Sequence, residues 1–520
     1  MLSNSTRAYG GLGGVVESAD LFVMENGATL QTTETVTQGS PMKMEGKDGG
    51  CVENLKDFIV ETPVEGTLLT KKGDGWMKLN TVCPTLERLA INGGTVQCVA
   101  CDRPAQTVEF ISGTLYENTG SSYAIHVPEG GSGTWSLANR STYNNKITGE
   151  GTLTIYCAVE HGNGWFATRT PVAVNLSLFT GTINATADMA DSYPRFTLNT
   201  SSGMPDGTLN ITAGVTVQNT GRTFRIGKLA GKGTLGGYAS FANAGATGVN
   251  TWQVGCDDDF AWAGTVTANS KFEKVGSGKM TVSGVWDNTG EVAVKEGTLC
   301  LNDRSAENAM LGSGELSVED GAVLCGMGKL GNASVTVERG GRLYSGTREG
   351  ASSGTLDFSG KRLTVSTGGE VLFNVASKVR CTTLEGISSF SLRGTLKVSV
   401  REGLELEAGD EFQLWVANRT ALSSACTLDL DSPGEGLEWD TSALENGILK
   451  VKTATGITGV VSGEPVDCVV YTLDGARAGS FTCMPSEVGE YMERNGFRSG
   501  MYMVKMTQGQ RTESRKVTVD

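Results

Sequence analysis

The chain has 520 residues and a formal net charge of −14. It is too long for one compact core, which stops growing at about 250–300 residues, and too acidic to offer the basic face that nucleic acid requires. Glycine is abundant at 72 residues, proline is scarce at 11, and 38% of the chain is hydrophobic, which excludes a disordered polymer and indicates many short strands joined by tight turns.

The first residues, MLSNSTRAYGGLGG, show no basic start followed by an apolar stretch, so no secretory signal is visible. No apolar run reaches the roughly 18 residues of a membrane helix. Gly10-Gly11-Leu12-Gly13-Gly14 runs into neither a helix nor a Gly-Lys-Ser/Thr ending, and the same holds for Gly276-x-Gly278, so nucleotide binding is not expected. The pair Cys98-Val-Ala-Cys101 has no further ligands at zinc spacing behind it, so buried thiols or a local disulfide are expected there. The twelve cysteines are scattered and read as small core fillers, with Cys468 and Cys483 the best candidate for a local pair.

Only two histidines occur, His126 and His161, and neither adjoins a nucleophile elbow; surface or turn positions are expected for both. The triplet Asp257-Asp258-Asp259 suggests the paired carboxylates of a glycosidase or a Ca²⁺ site. Successive strand residues point to opposite faces, however, so a polar turn before Phe260 is the expectation. Trp76, Trp135, Trp165, Trp252, Trp262 and Trp286 are scattered and are expected to pack in cores rather than line up for sugar stacking.

Alternation with period two dominates the chain. LDFSGKRLTVSTGGEVLFNV places Leu356, Phe358, Leu363, Val365, Val371, Phe373 and Val375 on one face, and GTLKVSV repeats this with Leu396, Val398 and Val400, as half-buried strands require. Helical periodicity is nearly absent, the stretch Ser486 to Arg494 being one of few candidates. A module Gly-x-Gly-x-apolar recurs at Gly149/Gly151/Leu153, Gly231/Gly233/Leu235, Gly276/Gly278/Met280, Gly312/Gly314/Leu316 and Gly326/Gly328/Leu330. Its irregular spacing fits a solenoid with loops of variable length. Each glycine pair turns a corner, and rungs stacked at about 4.8 Å bury together what one rung cannot bury alone.

The fullest copy runs from Asp257 to Asn302, with Phe260, Gly264, Lys274, Gly276, Gly278, Met280, Val282, Gly284, Gly290, Val292, Gly297, Thr298 and Leu299 in place. This resembles the autotransporter-associated β-strand repeat of bacterial passenger β-helices. The resemblance is clear for about 145–455 and looser for 1–145. It implies an all-β chain: a right-handed parallel β-helix over 1–400, a closing β segment over 401–455 and a linker over 456–462. In the closing segment, Leu437 and Trp439 alternate, Asp440-Thr441-Ser442 turns, and Ile448, Leu449 and Val451 return.

The last segment, 463–520, holds VDCVVYTLDGARAG, a hairpin with Asp474-Gly475 at its turn, then strands at Gly500–Lys505 and Lys516–Val519. It is nearly neutral. It is similar to the C-terminal sorting domain of the Bacteroidetes type IX secretion system, on Asp474, Gly475, Gly500, Tyr502, Lys505 and Lys516. That likeness implies a small antiparallel β-sandwich read by a secretion machinery, after removal of a signal peptide from the front end. The outer-membrane barrel that closes many passengers is not visible in the sequence.

Together the two resemblances imply a secreted or cell-surface structural and adhesive protein, binding host or glycan surfaces through its extended flank. No catalytic residue, metal or cofactor is expected. The alternative is a β-helix polysaccharide lyase or glycoside hydrolase acting on extracellular glycans. It requires acids with Lys or Arg converging across adjacent rungs, at least three within hydrogen-bond reach.

Overall fold

The computed structural model describes residues 21–520 except 99, 118–119, 138–142, 158–170, 188–194, 199, 240–245, 268, 303–310, 455–462, 510 and 520. His161, Trp165, the first glycine cluster and the linker expected at 456–462 lie outside the described residues. The structure divides into two compact units, one of residues 1–374, 381–399 and 414–430, the other of 375–380, 400–413 and 431–520. Among the described residues no helix is long and apolar enough to cross a membrane.

The first unit is a parallel β-solenoid, in a chain that makes about 15 solenoid turns. The alternating sequence explains its construction. Each strand sends every second residue inward, and each rung pairs in parallel register with the next. One inward row can be followed from Phe224 through Trp252, Phe272, Val292, Leu316, Val335 and Leu363 to Phe390, each the register partner of the one before. All eight are buried. At about 1.5–3 kcal/mol for each large apolar side chain buried, such rows are what holds the rungs together. Rung length varies with the loops: Val108 pairs with Ile125, whereas Thr152 pairs with Thr182.

The corners use three devices. Glycine is the first. The leading glycine of all five modules has positive φ, from 69° at Gly312 to 126° at Gly326. Four of the modules lead into a strand, while the fifth lies inside the strand Val323–Lys329. Further copies escaped the sequence reading, among them Gly73-Asp-Gly75-Trp-Met77 and Gly131-Ser-Gly133-Thr-Trp135. Gly73 has φ 78° and Met77 is fully buried. Asparagine is the second device. Buried Asn145, Asn219 and Asn250 donate their side-chain N–H to the carbonyls of Tyr123, Thr200 and Gly236 at 2.8–2.9 Å, and Asn332 donates to Leu311 and Gly314. These bonds tie the side chain at each corner to backbone carbonyls of the turning chain.

Lysine is the third device. Lys71 and Lys274 occupy inward positions of their rungs and are buried. Lys274 Nζ donates to the carbonyls of Val275, Gly276 and Glu296 at 2.7–3.0 Å. Lys71 Nζ donates to Lys72 and Gly73 at 2.7 Å and to Gly93 at 3.3 Å. Each lysine immediately precedes a Gly-x-Gly corner by two residues, so its ammonium plugs the corner from inside.

In the second unit, Glu411–Gln413, Ile448–Thr453 and Leu437–Asp440 form a small antiparallel sheet. Trp439 packs against Phe412 there, with ring centroids 6.0 Å apart, and donates its indole N–H to Asp431 O at 2.6 Å. The C-terminal part is one four-stranded antiparallel sheet, in the order Arg477–Cys483, Val466–Thr472, Gly500–Gln508, Arg511–Val519. The sequence reading expected a sandwich here. The apolar face is instead covered by the helix Val488–Arg494, which inserts Val488 and Met492 among Val466, Cys468, Val470, Val504 and Met506. Spacing of i, i+4 puts those two residues on one helical face, which suffices to close a sheet this small.

Candidate functional site

An open groove of about 750 Å³ lies on the solenoid flank, a size within the usual range for ligand sites. Two outward rows build it. In one, Arg88, Thr107 and Ala124 stand in register on successive rungs; in the other, Ala90, Glu109, His126 and Thr148 do so. The small side chain of Ala124 leaves the hollow between the larger neighbours, and Lys47, Glu87 and Gln106 complete the walls. Arg88 Nε lies 3.5 Å from Glu109 Oε2, and His126 Nδ1 lies 3.1 Å from Thr148 Oγ1. Alternation forces this arrangement, because the inward partners Leu89, Val108, Ile125 and Ile147 are buried.

The two contacts are separate pairs. Among the described residues no third acid, lysine or arginine is hydrogen-bonded into either of them. A facing pair of carboxylates with one acid held protonated, as glycoside hydrolysis needs, is not assembled by these contacts. A smaller hollow of about 220 Å³ lies beneath the loop 345–351, lined by Tyr344, Ser345, Leu372, Asn374 and Thr382.

The acidic triplet is a corner clamp. Asp257 Oδ1 accepts from Ser277 Oγ at 2.7 Å and Ser277 N at 3.3 Å, and Asp259 Oδ1 accepts from Lys279 N at 2.8 Å. Asp258 turns the other way, to Lys228 Nζ at 2.7 Å. The hydrogen bond from Ser277 holds the Asp257 carboxyl below the usual carboxylate range. Three neighbouring carboxylates thus serve three different partners, and none converge. Trp135, Trp252, Trp262 and Trp286 are core residues, while Trp76 is 40% exposed and packs on Tyr116.

Sequence reasoning missed a buried and perturbed acid. Glu117 stands inward, in register with Cys98 on one side and Leu137 on the other, at a position where its neighbours are core residues. It is fully buried. Its Oε2 accepts from Trp135 Nε1 at 2.7 Å and lies 3.1 Å from Ser121 Oγ, which itself lies 2.9 Å from Asn145 Oδ1. Ser121 has one hydroxyl proton and two acceptors beside it. That proton goes to Glu117 Oε2 or to Asn145 Oδ1, the two acceptors the hydroxyl faces. Burial pushes the carboxyl up to about 7, against the hydrogen bonds from Tyr123, Trp135 and Ser121, which pull it down. Nothing in a single sequence separates such a glutamate from a strand-end surface residue.

Cys83, Cys98 and Cys101 are buried thiols. Burial pushes Cys83 up to about 11, and a hydrogen bond with Cys101 raises Cys98. Among the described residues no group of three His, Cys, Asp or Glu is placed to hold a metal ion.

The six residues singled out in the C-terminal segment fall into two places. Asp474 and Gly475 form the hairpin turn, where Asp474 accepts from Thr472 Oγ1, and Gly500 and Tyr502 lie at the same end of the sheet, since Tyr502 pairs with Thr472. Tyr502 is inward and its hydroxyl donates to Arg498 O at 2.9 Å. Lys505 and Lys516 are exposed on the face away from the helix, next to the exposed Met501 and Met503. A comparison with protein-family models and with curated proteins finds no match for this chain.

Proposed function

We propose that this chain is a secreted or surface-displayed structural and adhesive protein, whose solenoid flank binds extracellular glycan chains and whose C-terminal module is the export signal. The groove at Arg88, Glu109, His126 and Thr148 carries the binding half of this reading. It is open, runs across several rungs and offers alternating donors and acceptors, which suits a hydroxyl-rich chain lying along the flank. Paired charges in the groove balance one another, as a neutral polysaccharide favours. The uncovered face bearing Met501, Met503, Lys505 and Lys516 supports the export half, as an exposed mixed apolar and basic surface on an otherwise closed module.

Two experiments test it. The full chain should retain soluble or insoluble extracellular polysaccharide, and Arg88→Ala or Ala124→Trp should reduce that retention at least about tenfold, roughly 1.4 kcal/mol. Equal retention by all three proteins overturns the flank reading. Localising the protein with and without residues 463–520 tests the other half: retention in the periplasm on truncation supports an export role, and unchanged export removes it. A glycan-cleaving enzyme is the second reading, favoured by the register adjacency of Glu109 and His126. It predicts release of new reducing or unsaturated ends that Glu109→Gln abolishes.

A further inference from the structure

Among the described residues three thiol pairs meet, and their geometries differ. Cys98 and Cys101 flank a corner inside the solenoid. Cys468 and Cys483 face one core but sit diagonally, since Cys468 pairs with Phe481 and Cys483 with Val466. A diagonal antiparallel pair is about 7–8 Å apart, beyond the Cα spacing of about 4.4–6.8 Å that a disulfide spans without backbone movement.

Cys300 and Cys325 are different. They are direct register partners on adjacent parallel rungs, and parallel neighbours lie about 4.8 Å apart, inside the disulfide range. Matching register puts both side chains on one face. Leu299, Leu324 and Leu343 form the inward row beside them, so the two cysteines face outward. There they are buried under the loop that follows Ser345, with Cys300 Sγ 3.8 Å from Thr347 O. The two thiols hydrogen-bond to each other, which lowers Cys300 and raises Cys325. Register alone keeps the second sulfur beside the first.

We propose that Cys300 and Cys325 form a reversible disulfide staple between two rungs of the solenoid. The oxidant is a small-molecule or protein disulfide. Once the loop that follows Ser345 lifts off the pair, the Cys300 thiolate attacks the oxidant, forming a mixed disulfide and releasing one thiolate. Cys325 gives up its proton and attacks the Cys300 sulfur, and the second thiolate leaves. The two cysteines lose two electrons and two protons, and the oxidant gains both as two thiols. The ladder spacing of about 4.8 Å exceeds the Cβ separation of about 3.5–4.5 Å in a relaxed disulfide, so the rungs must draw together slightly. A bond made this way is reducible rather than permanent. The inference rests on the solenoid register alone and stands whether or not the flank binds glycan.

The test incubates the folded full-length protein with excess glutathione disulfide, alkylates the remaining thiols, and maps the cysteines by mass spectrometry. The expected product is a linked Cys300–Cys325 peptide, lighter by two hydrogens, which excess glutathione reopens to two alkylatable thiols. In Cys325→Ser, Cys300 should accumulate as the glutathione mixed disulfide; in Cys300→Ser, Cys325 should be alkylated. A urea-unfolded sample should lose the preference for this pair. Alkylation of both cysteines in the folded protein, or a dominant linkage between other cysteines, overturns the proposal.

Discussion

Lys274 stands in register between Val254 and Val294, so a lysine occupies a core position that the rungs on either side fill with valine. Its aliphatic stem substitutes for the valines, and its ammonium satisfies three carbonyls of the Gly276 corner. Lys274→Met keeps the stem and removes the donor. It should destabilise the surrounding rungs by about 1–3 kcal/mol, the cost of leaving buried carbonyls unmade. Lys271→Met, at an exposed position on the same strand, should stay within about 0.5 kcal/mol. Hydrogen exchange of the rungs around 254–294 reads the difference, because a solenoid opens locally.

The same lysine has a pH signature. Burial lowers it from 10.5 to about 8. Between about pH 8 and 10.5 the unfolded chain therefore binds the proton that the folded chain has released. Stability from this group consequently rises with pH across that window, with the burial penalty in full force below it. The wild type should gain relative to Lys274→Met as pH is raised from 8 to 10. A gap that stays constant or widens against the wild type would show that the ammonium is not buried as described.

Glu117 has the opposite slope. Its folded carboxyl holds its proton up to about 7, against an ordinary value of 4.5. Between those values the folded state binds more protons than the unfolded one. The stability tied to this group is present in full below about pH 4.5 and is lost as pH rises through 7. Glu117→Gln, which mimics the protonated form, should remove this slope and leave the protein more stable than wild type at pH 8, by roughly 2–4 kcal/mol. Denaturation midpoints of both proteins at pH 5 and pH 8 decide it.

The solenoid was legible because inward rows and glycine corners obey rules local to a few residues. Leu356, Phe358, Leu363 and Val365 were read as inward from alternation alone, and all four are buried. The hairpin at Asp474-Gly475 and the short helix near Ser486 to Arg494 were visible for the same reason. The groove was not legible. Arg88, Glu109, His126 and Thr148 come from four rungs whose loops differ in length, so the register that joins them cannot be counted out in advance. Lys71, Lys274 and Glu117 were missed because period-two reading assigns polar residues outward. Each of the three defeats that rule by finding backbone or side-chain partners inside.

Gly149 and Gly130 test how far the corner glycines are required. Both have positive φ, 110° and 72°. A methyl group on Gly130 meets nothing within 4 Å, so Gly130→Ala bears only the left-handed backbone cost of about 1–2 kcal/mol. A methyl on Gly149 lands 2.0 Å from Val127 O and 2.7 Å from its carbonyl carbon, both backbone atoms of the preceding rung. That rung cannot retreat without breaking the parallel ladder from Ala124–Val127 to Lys146–Gly149. Gly149→Ala should therefore cost at least about 3 kcal/mol and raise exchange in both rungs beside the groove, weakening its walls at His126 and Thr148. Equal destabilisation by the two alanines would mean that backbone conformation alone, and not the close approach of one rung to the next, sets the need for glycine at these corners.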